Sequence, residues 1–186
     1  MPGEAFANCA VVYLTPGHQC PTTAVMPLDR REALLAGAQR TGAVLIEDDY
    51  ESEIPSGSDT ARALKSFDNG ERVVYVGSLS KILAPGLRLG YIVGSPALIR
   101  EARALRRLMV RHPPTNNQRA AALFLSLGHY DALVRRLGKA LKERSEIAAH
   151  ALARHLPDFD VRGAGRGSSF WVTCPRQTDT RVLSEM

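Results

Sequence analysis

Lys81 stands in the run YVGSLSKILAPGLRLGY, Tyr75 to Tyr91, with Ser78 and Ser80 before it and Arg88 seven residues after it. A primary amine partly withdrawn from water beside other cations loses its proton more readily and becomes a nucleophile for carbonyls. A guanidinium and two hydroxyls are the donors that a phosphate takes. A second group lies upstream in IEDDYESE, where Glu47, Asp48, Asp49, Tyr50 and Glu51 crowd the end of an apolar run. Side chains of a strand alternate between its faces, so Asp48 and Tyr50 share one face and Glu47 and Asp49 the other. Taken alone, such a cluster suits magnesium or calcium, or is a solvated acidic loop.

The two groups gain meaning together. A nucleophilic amine, a phosphate cradle and an acidic partner are what pyridoxal 5'-phosphate requires of a protein. The amine holds the aldehyde, a carboxylate pairs with the ring nitrogen, and hydroxyls and a guanidinium hold the phosphate. With Lys81 and Arg88 counted, no metal is expected.

The elements must bring these residues to one rim. Residues 10–15 (AVVYLT) read as a buried strand, and PGHQCPTT as a loop. Residues 28–40 read as a helix with Leu28, Ala33, Leu34 and Ala38 on its apolar side, closed by Gly42. AVLIEDDY is the next strand. Strand, helix and strand make a βαβ unit, hence a parallel pair with a right-handed crossover. Ligands of such sheets lie beyond the carboxyl ends of the strands, where Asp48 and Lys81 both fall. Residues 73–77 and 87–93 give two more strands, with a short helix expected near 61–66. Helices are expected over 96–111, 116–127 and 131–156, the last with Leu133, Leu137, Leu141, Ala148, Leu152 and Leu156 on one stripe. Short strands follow at 159–162 and 169–173, and a helix begins near Asp179.

Composition narrows the class. The chain has 186 residues, 45% apolar and 23% charged, with a formal net charge of +5. No apolar run reaches the length of a membrane-spanning helix, and MPGEAFANCAVVYL lacks the basic and apolar regions of a signal peptide. Cys9, Cys20 and Cys174 are odd in number and far apart, which fits a reducing, cytoplasmic setting. The arginines and lysines fall mainly in helical patterns and read as solvated helix faces. Zinc-finger spacing, a complete helix-turn-helix signature and RNA-binding aromatic motifs are absent.

SLSKILAPGLRLGY resembles the S-x-S-K-x-x-x-x-G-x-R-x-G segment of fold-type-I pyridoxal-phosphate aminotransferases, class I and II. LIEDDYESE resembles their D-x-Y segment. With YLTPGHQCPT and RHPPTNNQ added, the set is similar to the aminotransferase-like domain of MocR-type bacterial regulators, in which a GntR-type winged-helix domain is fused to such a unit. The resemblance covers about residues 10–175 and implies an α/β fold: part of the large domain, a mainly parallel sheet with flanking helices, plus the start of an α+β small domain. It implies that Lys81 binds the cofactor covalently and later moves a proton. Asp48 would keep the ring nitrogen protonated, Tyr50 would bond the ring hydroxyl, and Ser78, Ser80 and Arg88 would bind the phosphate. The partners it implies are an amino acid or keto acid, a second copy of the intact parent, and DNA only through a fused domain; a membrane is not among them.

Some positions depart from that pattern. Cys20-Pro21-Thr22-Thr23 stands where aminotransferases carry Asn-Pro-Thr-Gly, so Gln19 or His18 would replace the asparagine's contact with the ring hydroxyl. Thr23 in the glycine position would be strained if the backbone there needs a positive φ. Trp171 is expected in a small-domain core. Arg162, Arg166 and Arg176 do not match the family's carboxylate-gripping motif, which follows further on. The expectation is therefore a fragment. Residues 1–135 would form a partial cofactor-binding large domain, and 136–186 a connecting helix with an incomplete small domain.

Overall fold

The computed structural model describes residues 6, 8–50, 62–69, 71–163, 168–175, 178–179 and 181–182. Strands β1 (Val11–Leu14), β2 (Val44–Asp49), β3 (Val73–Ser78) and β4 (Gly90–Val93) form one sheet in sequence order. The first three are parallel, and β4 returns antiparallel to β3. Helix α1 (Leu28–Thr41) is the crossover between β1 and β2, as the βαβ pattern requires. Gly42 ends it in the left-handed region, φ 77°, donating its N–H to the Ala38 carbonyl.

The core lies between α1 and one face of this sheet. Leu35 and Ala38 of α1 meet Leu45 of β2, Val73 of β3 and Leu64, with Phe6 and Ala43 at the margins. Each large aliphatic side chain buried there contributes about 1.5–3 kcal/mol. The inward stripe of α1 differs from the expected one. Ala38 is buried and Leu34 packs against the core as expected, but Arg31 and Leu35 are also buried and Leu28 is exposed. The reading of its arginines as solvated is thus corrected for Arg31, which is buried and donates to the carbonyls of Met26, Pro16 and Arg62. A guanidinium can enter a core when its N–H groups all find acceptors.

Helices α2 (Pro96–Met109), α3 (Thr115–Ser126) and α4 (His129–His155) follow, and β5 (Asp160–Arg162) pairs antiparallel with β6 (Trp171–Thr173). Ser95 caps α2 by accepting from the Leu98 N–H. Along α4 the expected stripe is half-buried, and Ser145, which the stripe did not include, is buried. The short helix expected near 61–66 is a 3-10 turn, Leu64–Phe67. The strand expected from residue 87 starts at Gly90, because Pro85–Leu87 form a second 3-10 turn. Among the described residues no helix is long and apolar enough to cross a membrane. Glu51, Arg166 and Arg176 lie outside the described residues.

Gly77 sits where β3 passes under an aromatic ring. A Cβ there would lie 2.3 Å from Tyr91 Cζ. Gly77→Ala is therefore expected to cost about 1–3 kcal/mol by overpacking. Combining it with Tyr91→Ala should restore most of the loss in a urea melt. A single variant as stable as the parent, or a double variant no better than the single, would count against this contact.

Candidate cofactor site

The exits of β2 and β3 are adjacent because Asp48 pairs with Val76 and Asp49 with Gly77. Alternation along β2 is seen directly. Leu45, Glu47 and Asp49 are buried, and Val44, Ile46 and Asp48 are half-buried on the other face. Beyond Ser78 the chain turns, with Leu83 N–H donating to the Leu79 carbonyl and Leu79 N–H to the Leu89 carbonyl. Ile82 and Leu89 are buried and anchor this loop, while Lys81, just before Ile82, is exposed. Its Nζ lies 4.0 Å from the centroid of the Tyr50 ring. That is cation–π distance. His18 meets the same ring edge to face at 6.1 Å.

Asp48 accepts a hydrogen bond from the Tyr13 hydroxyl across the β1–β2 pair. The Ser80 N–H donates to Ser78 Oγ at 3.3 Å, so the two serines form one polar corner. Arg88 follows the second 3-10 turn with φ 50° and ψ 42°. A side chain held in the left-handed region costs about 1–3 kcal/mol, and such strain gathers at functional positions. Among the described residues no carboxylate pairs with its guanidinium. Asn117 at the start of α3 donates to the Leu87 carbonyl at 3.1 Å, so the TNNQ segment braces the turn that presents Arg88.

Gln19 is directed into its own turn. Its Oε1 accepts from the N–H of Thr22 at 3.1 Å and from the Thr22 hydroxyl, and its Nε2 donates to the Cys20 carbonyl. Thr23 has φ 59°, the conformation anticipated for a residue in a glycine's place. Trp171 is half-buried and lines a cleft of about 420 Å³ with Thr22, Thr23 and Arg162.

Behind the site lies a buried polar layer that the sequence did not reveal. Glu47 accepts the N–H groups of Leu64 (2.6 Å) and Lys65 (2.8 Å). Burial pushes its carboxyl above the ordinary value; those two donors and Arg31 pull it back, and Asp49 pushes it further up. Burial likewise lowers Arg31, opposed by Glu47 and Asp49. Asp49 accepts from the Tyr75 hydroxyl at 3.1 Å, and the Tyr75 and Tyr91 rings are 5.9 Å apart.

The donor set fits pyridoxal 5'-phosphate. An amine and a phenol ring are in contact, a half-buried carboxylate sits on the same strand end, and hydroxyls and an arginine with no carboxylate partner among the described residues lie at the next exit. Among the described residues no group of three or more acids, histidines or cysteines is arranged to hold a metal. The family model described as "Aminotransferase class I and II" matches residues 4–185. The chain belongs to this aminotransferase family. Relatives in the class I and II family include regulators as well as enzymes. The chain is 46% identical over 184 residues to the HTH-type transcriptional regulator TauR of Rhodobacter capsulatus, covering 99% of this chain and 38% of TauR. It is 32% identical to the probable rhizopine catabolism regulatory protein MocR of Rhizobium meliloti, over 80% of this chain and 30% of that protein. The crystal structure of Pyrococcus horikoshii kynurenine aminotransferase, in complex with PMP, superposes with a TM-score of 0.85 at 30% identity, covering 94% of this chain and 44% of that one. The chain thus spans less than half the length of each.

Proposed function

We propose that this chain binds pyridoxal 5'-phosphate through Lys81 and presents it to a small amino acid or keto acid. The observation that carries the reading is the contact of Lys81 with Tyr50 at the exits of two neighbouring parallel strands, with Asp48 on the same strand end. When bound, the cofactor supplies an aldehyde that captures amines and a protonated ring that draws electrons from the adjoining carbon. Asp48 keeps positive charge on the ring nitrogen by pairing with it. Tyr50 donates to the ring hydroxyl, and its ring fixes the height of the Lys81 amine. Ser78, Ser80 and Arg88 hold the phosphate, and Gln19 lies at the ring-hydroxyl side. Lys81 Nζ takes and returns the proton of the substrate carbon. In this reading residues 1–135 belong to the large domain and 136–186 to a connecting helix and small domain. The whole protein works as a homodimer in the cytoplasm.

The 46% identity with TauR over nearly the whole chain favours a parent that is a regulator. There the same chemistry would report an amino acid rather than turn it over, and DNA would be met by a fused domain. In the whole polypeptide that carries residues 1–186, borohydride should fix the cofactor on Lys81. Lys65, which pairs with Asp68 at 2.9 Å, should remain unlabelled. Label on Lys65, or on no lysine, would overturn the assignment. Turnover with a keto-acid acceptor at about 1–10³ per second marks an enzyme. A single stoichiometric reaction marks a sensor.

A further inference from the structure

Tyr13 is an odd residue for its position. It lies on the edge strand β1, 62% exposed, on the face opposite the core. Packing therefore does not account for it. Register does: Tyr13 pairs with Ile46, which puts Asp48 two residues further along β2 on the same face. Diagonal neighbours of that kind are within reach of an aromatic side chain. The hydroxyl donates to Asp48 Oδ2, and among the described residues no donor reaches the other oxygen. The hydrogen bond to Asp48, then burial, then the Asp48 charge raise the Tyr13 phenol above its ordinary value, so it remains a donor at neutral pH.

We propose that Tyr13 positions the Asp48 carboxylate for the ring nitrogen of pyridoxal 5'-phosphate, fixing one oxygen so that the other faces the ligand. The proposal rests on the reading of Asp48 given above. A carboxylate's last torsion is broad and roughly two-fold, so an untethered Asp48 would sample many orientations. A charge-assisted bond from a rigid phenol removes that freedom before the ligand arrives. Tyr13 is thus a positioning residue. It acts through Asp48 and does not itself touch the cofactor.

The test compares two ligands in the whole polypeptide: pyridoxal 5'-phosphate, and its analogue with carbon in place of the ring nitrogen. Dissociation constants are measured for the parent, Tyr13→Phe, Asp48→Asn and the double variant. Tyr13→Phe should weaken the true cofactor about five- to tenfold, the size expected for one lost hydrogen bond. Binding of the analogue should be unchanged, and the double variant should bind no worse than Asp48→Asn alone. Equal weakening of both ligands would make the role merely structural and overturn the proposal. If the parent prefers the true cofactor and Tyr13→Phe keeps that preference, Tyr13 is a bystander and only this proposal fails. If the parent and Asp48→Asn treat the two ligands alike, the Asp48 reading fails and the proposal falls with it.

Discussion

Asp48→Asn is expected to slow exchange of the amino-acid Cα proton into deuterated water about 10²–10³-fold. An amide cannot neutralise the positive charge that must persist on the ring nitrogen, and loss of one preorganised electrostatic partner has this size. Asp49→Asn should leave the exchange rate within a few-fold, although the two residues are adjacent. Asp49 points to the buried face and accepts from the Tyr75 hydroxyl. Its loss should appear as about 1–2 kcal/mol of stability, the difference between a hydrogen bond to a charge and one to a neutral acceptor. Isotope exchange followed by NMR is the measurement. It serves an enzyme and a sensor alike, because it needs no acceptor. Equal loss from both variants in folded protein would undo the assignment of faces along β2.

That assignment was legible in the sequence because a strand's period is two and nothing else is needed. The parallel pairing of β1 and β2 was legible for a similar reason, since a helix of this length between two apolar runs leaves few other arrangements. The strand expected from residue 87 was too long by three residues. Its first positions are apolar, but Pro85 and Gly86 tighten the chain into a 3-10 turn and Arg88 takes a positive φ. Only tertiary contacts, such as Asn117 to the Leu87 carbonyl thirty residues away, hold such a conformation.

The residues that escaped sequence reasoning are those whose partners come from distant segments. Glu47 is one, capping a turn seventeen residues on. Tyr13 is another, since its bond to Asp48 depends on cross-strand register, which no local pattern encodes. Arg31 left a usable trace. It lies four residues before Leu35 and seven before Ala38, on the stripe that enters the core. Treating every charged helix residue as solvated concealed it.

Arg31→Met should lower stability by about 3–5 kcal/mol, the loss that follows when one partner of a buried charged group is removed. Methionine keeps the aliphatic stem and the helix propensity, so the change isolates the guanidinium. It leaves the carbonyls of Met26 and Arg62 without the guanidinium donor, takes one of two donors from the Pro16 carbonyl, which still accepts the Met26 N–H, and leaves Glu47 and Asp49 without the nearby positive charge. The deficit should depend on pH in a definite direction. The folded Glu47 carboxyl already lies above its ordinary value, so between the unfolded and folded values the folded state carries the extra proton. Stability from this group falls as pH rises through that window. Removing Arg31 takes away an attraction that draws Glu47 down, which widens the window upward. The deficit relative to the parent should then be larger at neutral pH and shrink at a mildly acidic pH, because protonating the Glu47 carboxyl removes the charge that Arg31 attracts. Asp68 behaves oppositely. Burial would raise it, but Lys65 and the N–H groups of Val73 and Arg72 hold it below its ordinary value, so its contribution is lost on acidification. That loss is common to both proteins and cancels in the difference. Urea melts at the two pH values measure the effect, and adding Glu47→Gln to Arg31→Met should flatten its pH dependence. A deficit below about 1 kcal/mol, the ordinary range for a surface ion pair, would contradict the buried role of Arg31. A deficit that is the same at both pH values would show that Glu47 does not depend on it.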